Sequence, residues 1–185
     1  MLQLKSIHEA VKIICESFGG SISGSEMLPL CACTGRVLAE NVKANEYVPC
    51  FDRSSVDGYA LRASDTAGCS ASAPAVVRLV GVAEPGSKSG CSVNKGECVY
   101  VPTGCAIPRG ADAVVMIEYS ESVGGGEIGI LKQVAPGTNV IGKGDDITPD
   151  RTVLHSGKIL RPADIGVLAA IGKTKVKGTL DSRFS

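Results

Sequence analysis

The chain of 185 residues is 44% hydrophobic and 21% charged, as is ordinary for a globular protein, and it is long enough for one domain or two small ones. Its 19 basic and 19 acidic side chains cancel, which argues against a nucleic-acid-binding protein. It has no apolar run near the roughly 18 residues of a membrane span, and no charged leader before an apolar block. We therefore expect a cytoplasmic protein that binds neither nucleic acid nor membranes.

The first predicted element is an amphipathic helix within residues 1–25. Ser6 and Glu9 have the spacing of a capping box, which satisfies the free backbone N–H groups at a helix start. Gly19-Gly20 is expected to end the helix. Apolar residues recur along this segment at steps of three and four, namely Leu4, Ile7, Val11, Ile14, Cys15 and Phe18. We expect this apolar stripe to be buried, and the simplest expectation is that it packs on the rest of the chain.

From Met27 onward the sequence predicts short strands. Glycine- and proline-bearing turns such as Glu84-Pro85-Gly86 separate the β-rich runs. These runs are Ala75 to Val82, Glu97 to Val101, Ala113 to Ile117 and Glu127 to Gln133. Pro162 suits the first position of a short helix that continues through Ala170 and ends before Gly172. The predicted fold class is α+β, mostly β.

The cysteines are scattered, and no two of them form a C-x-x-C pair. The two histidines, His8 and His155, lie far apart, so the sequence offers no structural zinc site. Because nothing in the sequence points to secretion, disulfides are not expected either. We predict free thiols at all eight positions, which are Cys15, Cys31, Cys33, Cys50, Cys69, Cys91, Cys98 and Cys105.

A first polar segment, Val48 to Ala60, places two aspartates, an arginine and two serines within six residues. Asp57-Gly58 is a common turn signal, and serine and aspartate side chains often bond nearby backbone in turns. An ordinary solvated turn therefore explains this segment, taken alone, better than a functional site does. The polar residues are Asp52, Arg53, Ser54, Ser55 and Asp57.

Two further polar segments also lie in predicted turns. In the second, Thr103-Gly104 follows a strand, so a hydroxyl and a free backbone N–H could hold an anionic oxygen. In the third, the adjacent carboxylates of Asp145 and Asp146 could bind a hard cation such as magnesium. Taken alone, a plain loop between two strands explains the second segment equally well, and a solvated turn explains the third segment better than a metal site does.

Taken in order, the motifs of the chain resemble the molybdenum insertase (molybdopterin molybdenumtransferase) family, which includes bacterial MoeA and the E-domain of gephyrin. The resemblance extends from about residue 4 to about residue 176. The matching motifs are Gly35 to Glu40, Pro49 with Phe51-Asp52, Asp57-Gly58-Tyr59-Ala60, Thr103-Gly104, Pro108 with Gly110 to Val115, Asn139, Gly144-Asp145-Asp146 and Ile165 to Gly172.

The resemblance implies a discontinuous, small β-containing region that carries an inserted β-rich domain, in an elongated homodimer. In this sequence the parts are an N-terminal helix at 1–25, a supporting region at 26–45 and 145–177, an inserted domain at 46–144 and a tail at 178–185. In the family the N-terminal helix leans on a third, pterin-binding domain of α/β type. That domain should begin just after residue 176, so we expect the third and fourth domains to be missing here.

The resemblance also implies an enzyme that transfers molybdate to adenylylated molybdopterin in molybdenum cofactor biosynthesis, with Mg²⁺ assisting and AMP released. Because the reactants are anions, cations and oriented N–H groups have to screen them. By motif match, Asp57 and Asp146 are expected to be catalytic carboxylates that orient metal or water. Thr103 is expected to be a catalytic hydroxyl that donates to a phosphate or molybdate oxygen. The expected cofactor-binding residues are Ser55, Gly104 and Lys143.

The third segment departs from the family pattern. Ile141 stands where the family usually has arginine, and Asp145 stands where it usually has glutamate. Loss of a fixed cation should weaken anion binding, because isoleucine cannot replace the bidentate contacts of arginine. Lys143 is expected to compensate in part. Val56, where the family usually has methionine, is a mild apolar exchange.

Two hypotheses about function stay open. In the first, the chain is the N-terminal portion of an insertase and is inactive without the pterin-binding domain. In the second, it is a non-catalytic, truncated homologue that serves as a binding or dimerisation module. Receptor scaffolding, as in gephyrin, is disfavoured because that role rests on other domains. A pterin-binding domain encoded downstream of Ser185 would favour the first hypothesis.

Overall fold

A computed structural model of the protein describes residues 6–18, 24–86 and 90–179. Short strands dominate and two α-helices are present, so the fold class is α+β, mostly β, as predicted. In chain order the elements are α1 (Ile7–Phe18), β1 (Ser25–Pro29), β2 (Val42–Lys43), β3 (Arg53–Ser54), β4 (Gly58–Leu61), β5 (Ala75–Val82), β6 (Glu97–Val101), β7 (Ala113–Met116), β8 (Ser120–Gly124), β9 (Glu127–Ile130), β10 (Val140–Ile141), β11 (Thr152–Leu154), α2 (Pro162–Ala170) and β12 (Lys175–Thr179).

The chain divides into two compact units. The first unit contains the described residues up to Ala44 and those from Asp150 onward, and the second unit is Asn45–Pro149. The sequence expectation placed an inserted domain at 46–144 and returned the chain to the supporting region at 145. In the structure, residues 145–149 group with the second unit, because Val48 and Ile147 form an antiparallel bridge there.

The first unit is formed by segments from both ends of the sequence. Strand β1 pairs antiparallel with β12, and β2 pairs antiparallel with β11. Helix α2 starts with Pro162 as its first residue, and the Asp164 carboxylate accepts the Arg161 N–H at 3.0 Å. Lys158 forms an ion pair with Asp164 at 2.6 Å, and this contact lowers the pKa of the Asp164 carboxyl. The largest side chains buried in this unit are Leu28, Leu38, Leu154, Leu160, Leu168, Ile171 and Val176.

Helix α1 has the predicted capping box, because the Ser6 N–H donates to Glu9 Oε2 at 2.9 Å and the Glu9 N–H donates to Ser6 Oγ at 3.3 Å. Its apolar stripe was expected to pack on the rest of the chain. That expectation is wrong for Ile7, Val11 and Ile14, which are 84%, 54% and 57% exposed because the core of this unit closes without them. Leu4, Gly19-Gly20, the side chains of Cys15 and Phe18, and the tail beyond Thr179 lie outside the described residues. Neither described helix has the length and apolarity to span a membrane.

The second unit is built on a six-stranded sheet with the order β7-β4-β6-β5-β9-β8. Its neighbouring strands are antiparallel except for β5 and β6, which are parallel. Successive side chains of a strand point to opposite faces of a sheet. Accordingly Ala60, Val99 and Val114 pack into one buried cluster, while their neighbours in the chain, Leu61, Cys98 and Val115, pack into a second one. The middle of the sheet is therefore buried on both faces, and polar groups are left to the loops at its ends.

Candidate functional site

The three polar segments meet in the second unit, and the first segment lies between the other two. The Ser54 N–H donates to the Cys105 carbonyl at 2.9 Å, and the Gly104 N–H donates to the Ser54 carbonyl at 2.8 Å. On the other side of the first segment, β3 pairs antiparallel with β10, which places Ser54 opposite Val140 and Arg53 opposite Ile141. Residues from three distant stretches of sequence thus form one cluster of loops.

Asp57 and Thr103 are directly linked. The backbone N–H and the hydroxyl of Thr103 both donate to Asp57 Oδ1, at 2.6 and 2.8 Å. These bonds, the backbone one first, lower the pKa of the exposed Asp57 carboxyl. No described residue donates a hydrogen bond to the other oxygen, Oδ2. Asp57 is therefore an ionised carboxylate with one oxygen fixed and one available.

In this structure the donors of Thr103 and Gly104 are bound within the loops, and their expected contact with an anion stays a prediction. The Thr103 hydroxyl has a single hydrogen, and it points to Asp57. The Thr103 N–H is bound to the same oxygen, and the Gly104 N–H is bound to the Ser54 carbonyl. Thr103 therefore orients Asp57, and Gly104, with φ +83°, supplies the turn that makes this possible.

The third segment is held against the first by backbone donors. The Lys143 N–H donates to Asp52 Oδ1 at 2.7 Å, and the Gly144 N–H donates to the Pro49 carbonyl at 2.9 Å. The Asp146 N–H donates to the Val48 carbonyl at 3.0 Å. These bonds set the position of the acidic turn relative to the first segment, which local sequence could not do.

The two adjacent carboxylates of the third segment are not equivalent. Asp145 Oδ2 accepts the Gly142 N–H at 2.7 Å, so Asp145 closes its own turn. Asp146 is exposed, and none of its side-chain atoms bonds a described residue. Within residues 6–18, 24–86 and 90–179, no group of three or more potential ligand side chains is arranged to hold a metal ion. Magnesium, however, is commonly held by one or two carboxylates together with water and substrate phosphates, and Asp57 Oδ2 and Asp146 are each a carboxylate donor of that kind.

Ser55 and Lys143 have different surroundings. The N–H and the hydroxyl of Ser55 both donate to the Asn139 carbonyl, at 3.0 and 3.1 Å, so this hydroxyl stabilises the loop contact. The Lys143 ammonium lies 4.5 Å from the centroid of the Tyr47 ring. Sequence reasoning missed Tyr47, because an isolated tyrosine carries no local signal. It noted Arg53 in the polar cluster but assigned it no role.

A profile of the MoeA N-terminal region, domains I and II, matches residues 5–172. The chain belongs to the MoeA family. The molybdopterin molybdenumtransferase 2 of Mycobacterium tuberculosis is 34% identical over 145 residues, which are 78% of this chain and 36% of that protein. The molybdopterin molybdenumtransferase of Staphylococcus aureus is 36% identical over 141 residues, which are 76% of this chain and 33% of that protein.

Solved MoeA structures have the same fold. The crystal structure of the molybdopterin biosynthesis MoeA protein from Pyrococcus horikoshii superposes with a TM-score of 0.91 at 36% sequence identity. The match covers 97% of this chain and 47% of that one. The chain thus spans about a third of the length of the two MoeA relatives above and about half of the solved MoeA chain.

Proposed function

We propose that this chain contributes one wall of the active site of a molybdopterin molybdenumtransferase, a cytoplasmic enzyme that transfers molybdate to adenylylated molybdopterin in molybdenum cofactor biosynthesis. The observation that carries the proposal is the cluster of loops in which Thr103 fixes one oxygen of Asp57. In the same cluster Asp146 keeps its carboxylate free of contacts with the described residues. Membership of the MoeA family and the names of the relatives support the reaction class.

The carboxylates have a defined task in this proposal. Molybdate, a dithiolene and a phosphoanhydride are all negatively charged, so their approach requires a cation. Asp57 Oδ2 and the Asp146 carboxylate would hold Mg²⁺ together with water and phosphate oxygens. When bound, the ion would supply charge neutralisation at the phosphoanhydride. Thr103 keeps Asp57 ionised and in one orientation, which prepares this donor for the ion.

The cofactor-binding residues divide into one that contacts substrate and two that shape the loops. The Lys143 ammonium, which forms no ion pair with a described residue, would contact an anionic group of the substrate. The N–H and hydroxyl of Ser55 and the N–H of Gly104 are bound within the loops, so these two residues shape the loops. The pterin itself would be held by the third domain of the family, in a homodimer. We therefore expect no turnover by the 185-residue chain alone.

The test is release of AMP from adenylylated molybdopterin in the presence of molybdate and Mg²⁺. The chain alone should release none, and a mixture with a separately produced pterin-binding half should release AMP. A chimera in which residues 5–172 replace the matching region of the M. tuberculosis relative provides a second route. If neither the mixture nor the chimera releases AMP while the intact relative does, the alternative holds, and the chain is a non-catalytic binding or dimerisation module.

The role of the carboxylates is tested in the same assay. Asp57→Asn and Asp146→Asn should each lower the rate of the chimera by about 100-fold, a typical loss when one group that stabilises developing charge is removed. Asp150→Asn is the matched control, because it makes the same charge change at an exposed residue whose φ of +63° asparagine accepts. Equal rates for all three variants would exclude Asp57 and Asp146 from catalysis.

A further inference from the structure

Arg53 lies in the middle of the loop cluster, and no described residue pairs with its charge. Its Nε is buried, and no described residue accepts a hydrogen bond from it. Its terminal Nη groups also form no hydrogen bond with the described residues and are not among the buried atoms. Arg53 is absent from the ion pairs of the described residues as well. An arginine is always charged, and a buried Nε–H without an acceptor is costly, whereas the terminal Nη groups remain accessible to solvent or to a ligand.

The residues around Arg53 explain why the described part of the chain offers it no acceptor. Its partners across the two neighbouring ladders are Ile141 and Ala106, and both are apolar. The preceding residue, Asp52, uses Oδ1 to accept the Lys143 N–H at 2.7 Å. The following residue, Ser54, donates its hydroxyl to the Val56 carbonyl at 2.6 Å. Asp52 Oδ1 and the Ser54 hydroxyl are thus bound elsewhere, and no described residue accepts a hydrogen bond from the terminal Nη groups of Arg53.

A second cation lies near the strand partner of Arg53. Lys143 is two residues beyond Ile141, the cross-strand partner of Arg53, and its backbone is bound to the residue preceding Arg53. Its ammonium rests on the Tyr47 ring and forms no ion pair with a described residue. Arg53 thus lies in β3 and Lys143 lies two residues beyond β10, and neither cation has a carboxylate partner among the described residues. A planar guanidinium and an ammonium in this arrangement suit a group with several anionic oxygens.

We propose that Arg53 and Lys143 form a subsite for a tetrahedral oxyanion. The proposal rests on the proposed function and deepens it, because it names the residues that receive an anionic reactant. Arg53 donates through its terminal Nη groups, and Lys143 adds a point charge. The carboxylates of Asp52, which accepts the Lys143 N–H, and of Asp57 and Asp146 would oppose an incoming anion. Binding is therefore expected to strengthen when Mg²⁺ neutralises Asp57 and Asp146. Free molybdate and the phosphate of the adenylylated pterin share this chemistry.

The test is an NMR titration of the 185-residue chain, read at the side-chain Nε–Hε signals of arginine. Sodium molybdate and inorganic phosphate are added in separate experiments, each with and without Mg²⁺. The Arg53 signal should shift and saturate, at lower anion concentration when Mg²⁺ is present. A shift with molybdate alone assigns the subsite to molybdate, and a shift with phosphate alone assigns it to the phosphate of the pterin substrate. A shift with both means that the subsite recognises the shared tetrahedral oxyanion.

Two substitutions separate a specific subsite from general charge. Arg53→Gln should weaken anion binding by about tenfold or more, the loss expected for one charge-assisted contact. Arg109→Gln makes the same charge change at an exposed arginine of the same unit and should leave binding unchanged. If Arg53→Gln fails to fold, the titration of the unsubstituted chain still shows whether Arg53 binds an anion, because the signal comes from Arg53 itself.

The proposal is overturned if neither anion shifts the Arg53 signal, or if Arg109→Gln weakens binding as much as Arg53→Gln does. If the Arg53 signal does not shift but the chimera releases AMP, the anion subsite is wrong and the proposed function is still supported. A saturating shift together with a silent chimera would keep the subsite and favour the non-catalytic binding module.

Discussion

The ring of Tyr47 occupies the space that a side chain on Gly144 would need. A Cβ built on Gly144 would lie 2.6 Å from Tyr47 Cδ1. Gly144 also has a φ of +81°, in the left-handed region that other residues seldom adopt. The same ring lies 4.5 Å from the ammonium of Lys143. The Tyr47 ring thus contacts both the turn at Gly144 and the ammonium of the neighbouring Lys143.

Substitution of Gly144 should therefore destabilise the protein by two separate effects. Gly144→Ala places alanine at a positive φ, which costs about 1–2 kcal/mol, and drives a methyl group into the ring, which costs about 1–3 kcal/mol more. Gly137→Ala is the control, since Gly137 has a φ of +82° and a Cβ there meets nothing within 4 Å. Denaturant unfolding should give the larger loss for Gly144→Ala, and Tyr47→Ala should remove the difference. Equal losses for the two glycines would contradict the clash.

The hydroxyl of Thr103 should contribute measurably to the ionisation of Asp57. In Thr103→Val the pKa of Asp57 should rise only part of the way to its ordinary value, because the backbone N–H is the larger cause and remains. A lowered pKa in the folded state stabilises the fold at pH values above the unfolded pKa, and this stability is lost as the pH falls through the folded pKa. Titration of the Asp57 carboxyl carbon by NMR measures the effect. Thr103→Ser, which keeps the hydroxyl, should titrate like the native chain.

Restoring the usual arginine of the family at position 141 should have a cost in this chain. Ile141→Arg would put a second guanidinium directly opposite Arg53, and like charges facing each other in a ladder destabilise by about 0.2–1 kcal/mol. Thermal unfolding should show a loss that shrinks as salt is added. The double variant Arg53→Gln with Ile141→Arg should recover stability. A salt-independent loss in the single variant would point to packing instead of charge.

The cysteines should differ sharply in reactivity. Burial raises the pKa of Cys98 to about 12, and it also raises the pKa of Cys105. Cys31 and Cys50 are exposed free thiols, so an alkylating reagent at neutral pH should modify these two first. Mass spectrometry of peptides should find Cys98 modified only after unfolding. Denatured, non-reduced protein should titrate all eight thiols, and a smaller number would contradict the prediction of free cysteines.

The sequence by itself determined the elements that depend on neighbouring residues. The Ser6–Glu9 capping box joins two residues three positions apart. Pro162 begins α2 because the first turn of a helix needs no hydrogen bond from the N–H that proline lacks. Strand β5 runs from Ala75 to Val82 and β6 from Glu97 to Val101, as their apolar runs and flanking turns predict. These signals are local, since they come from backbone sterics and from the side-chain period of a strand.

Only the tertiary structure decided which donors and carboxylates are available. Thr103 and Asp57 are 46 residues apart, and nothing local shows that the hydroxyl offered to an anion is already bound to that carboxylate. The adjacent residues Asp145 and Asp146 look alike in sequence. In the structure, the Asp145 carboxylate accepts the Gly142 N–H and closes the turn, whereas the Asp146 side chain forms no hydrogen bond with a described residue. The pairing of β3 with β10 likewise decides that Arg53 faces Ile141. Such pairs depend on strand order and register, which are set by burial on both faces of the sheet and not by the residues next to each site.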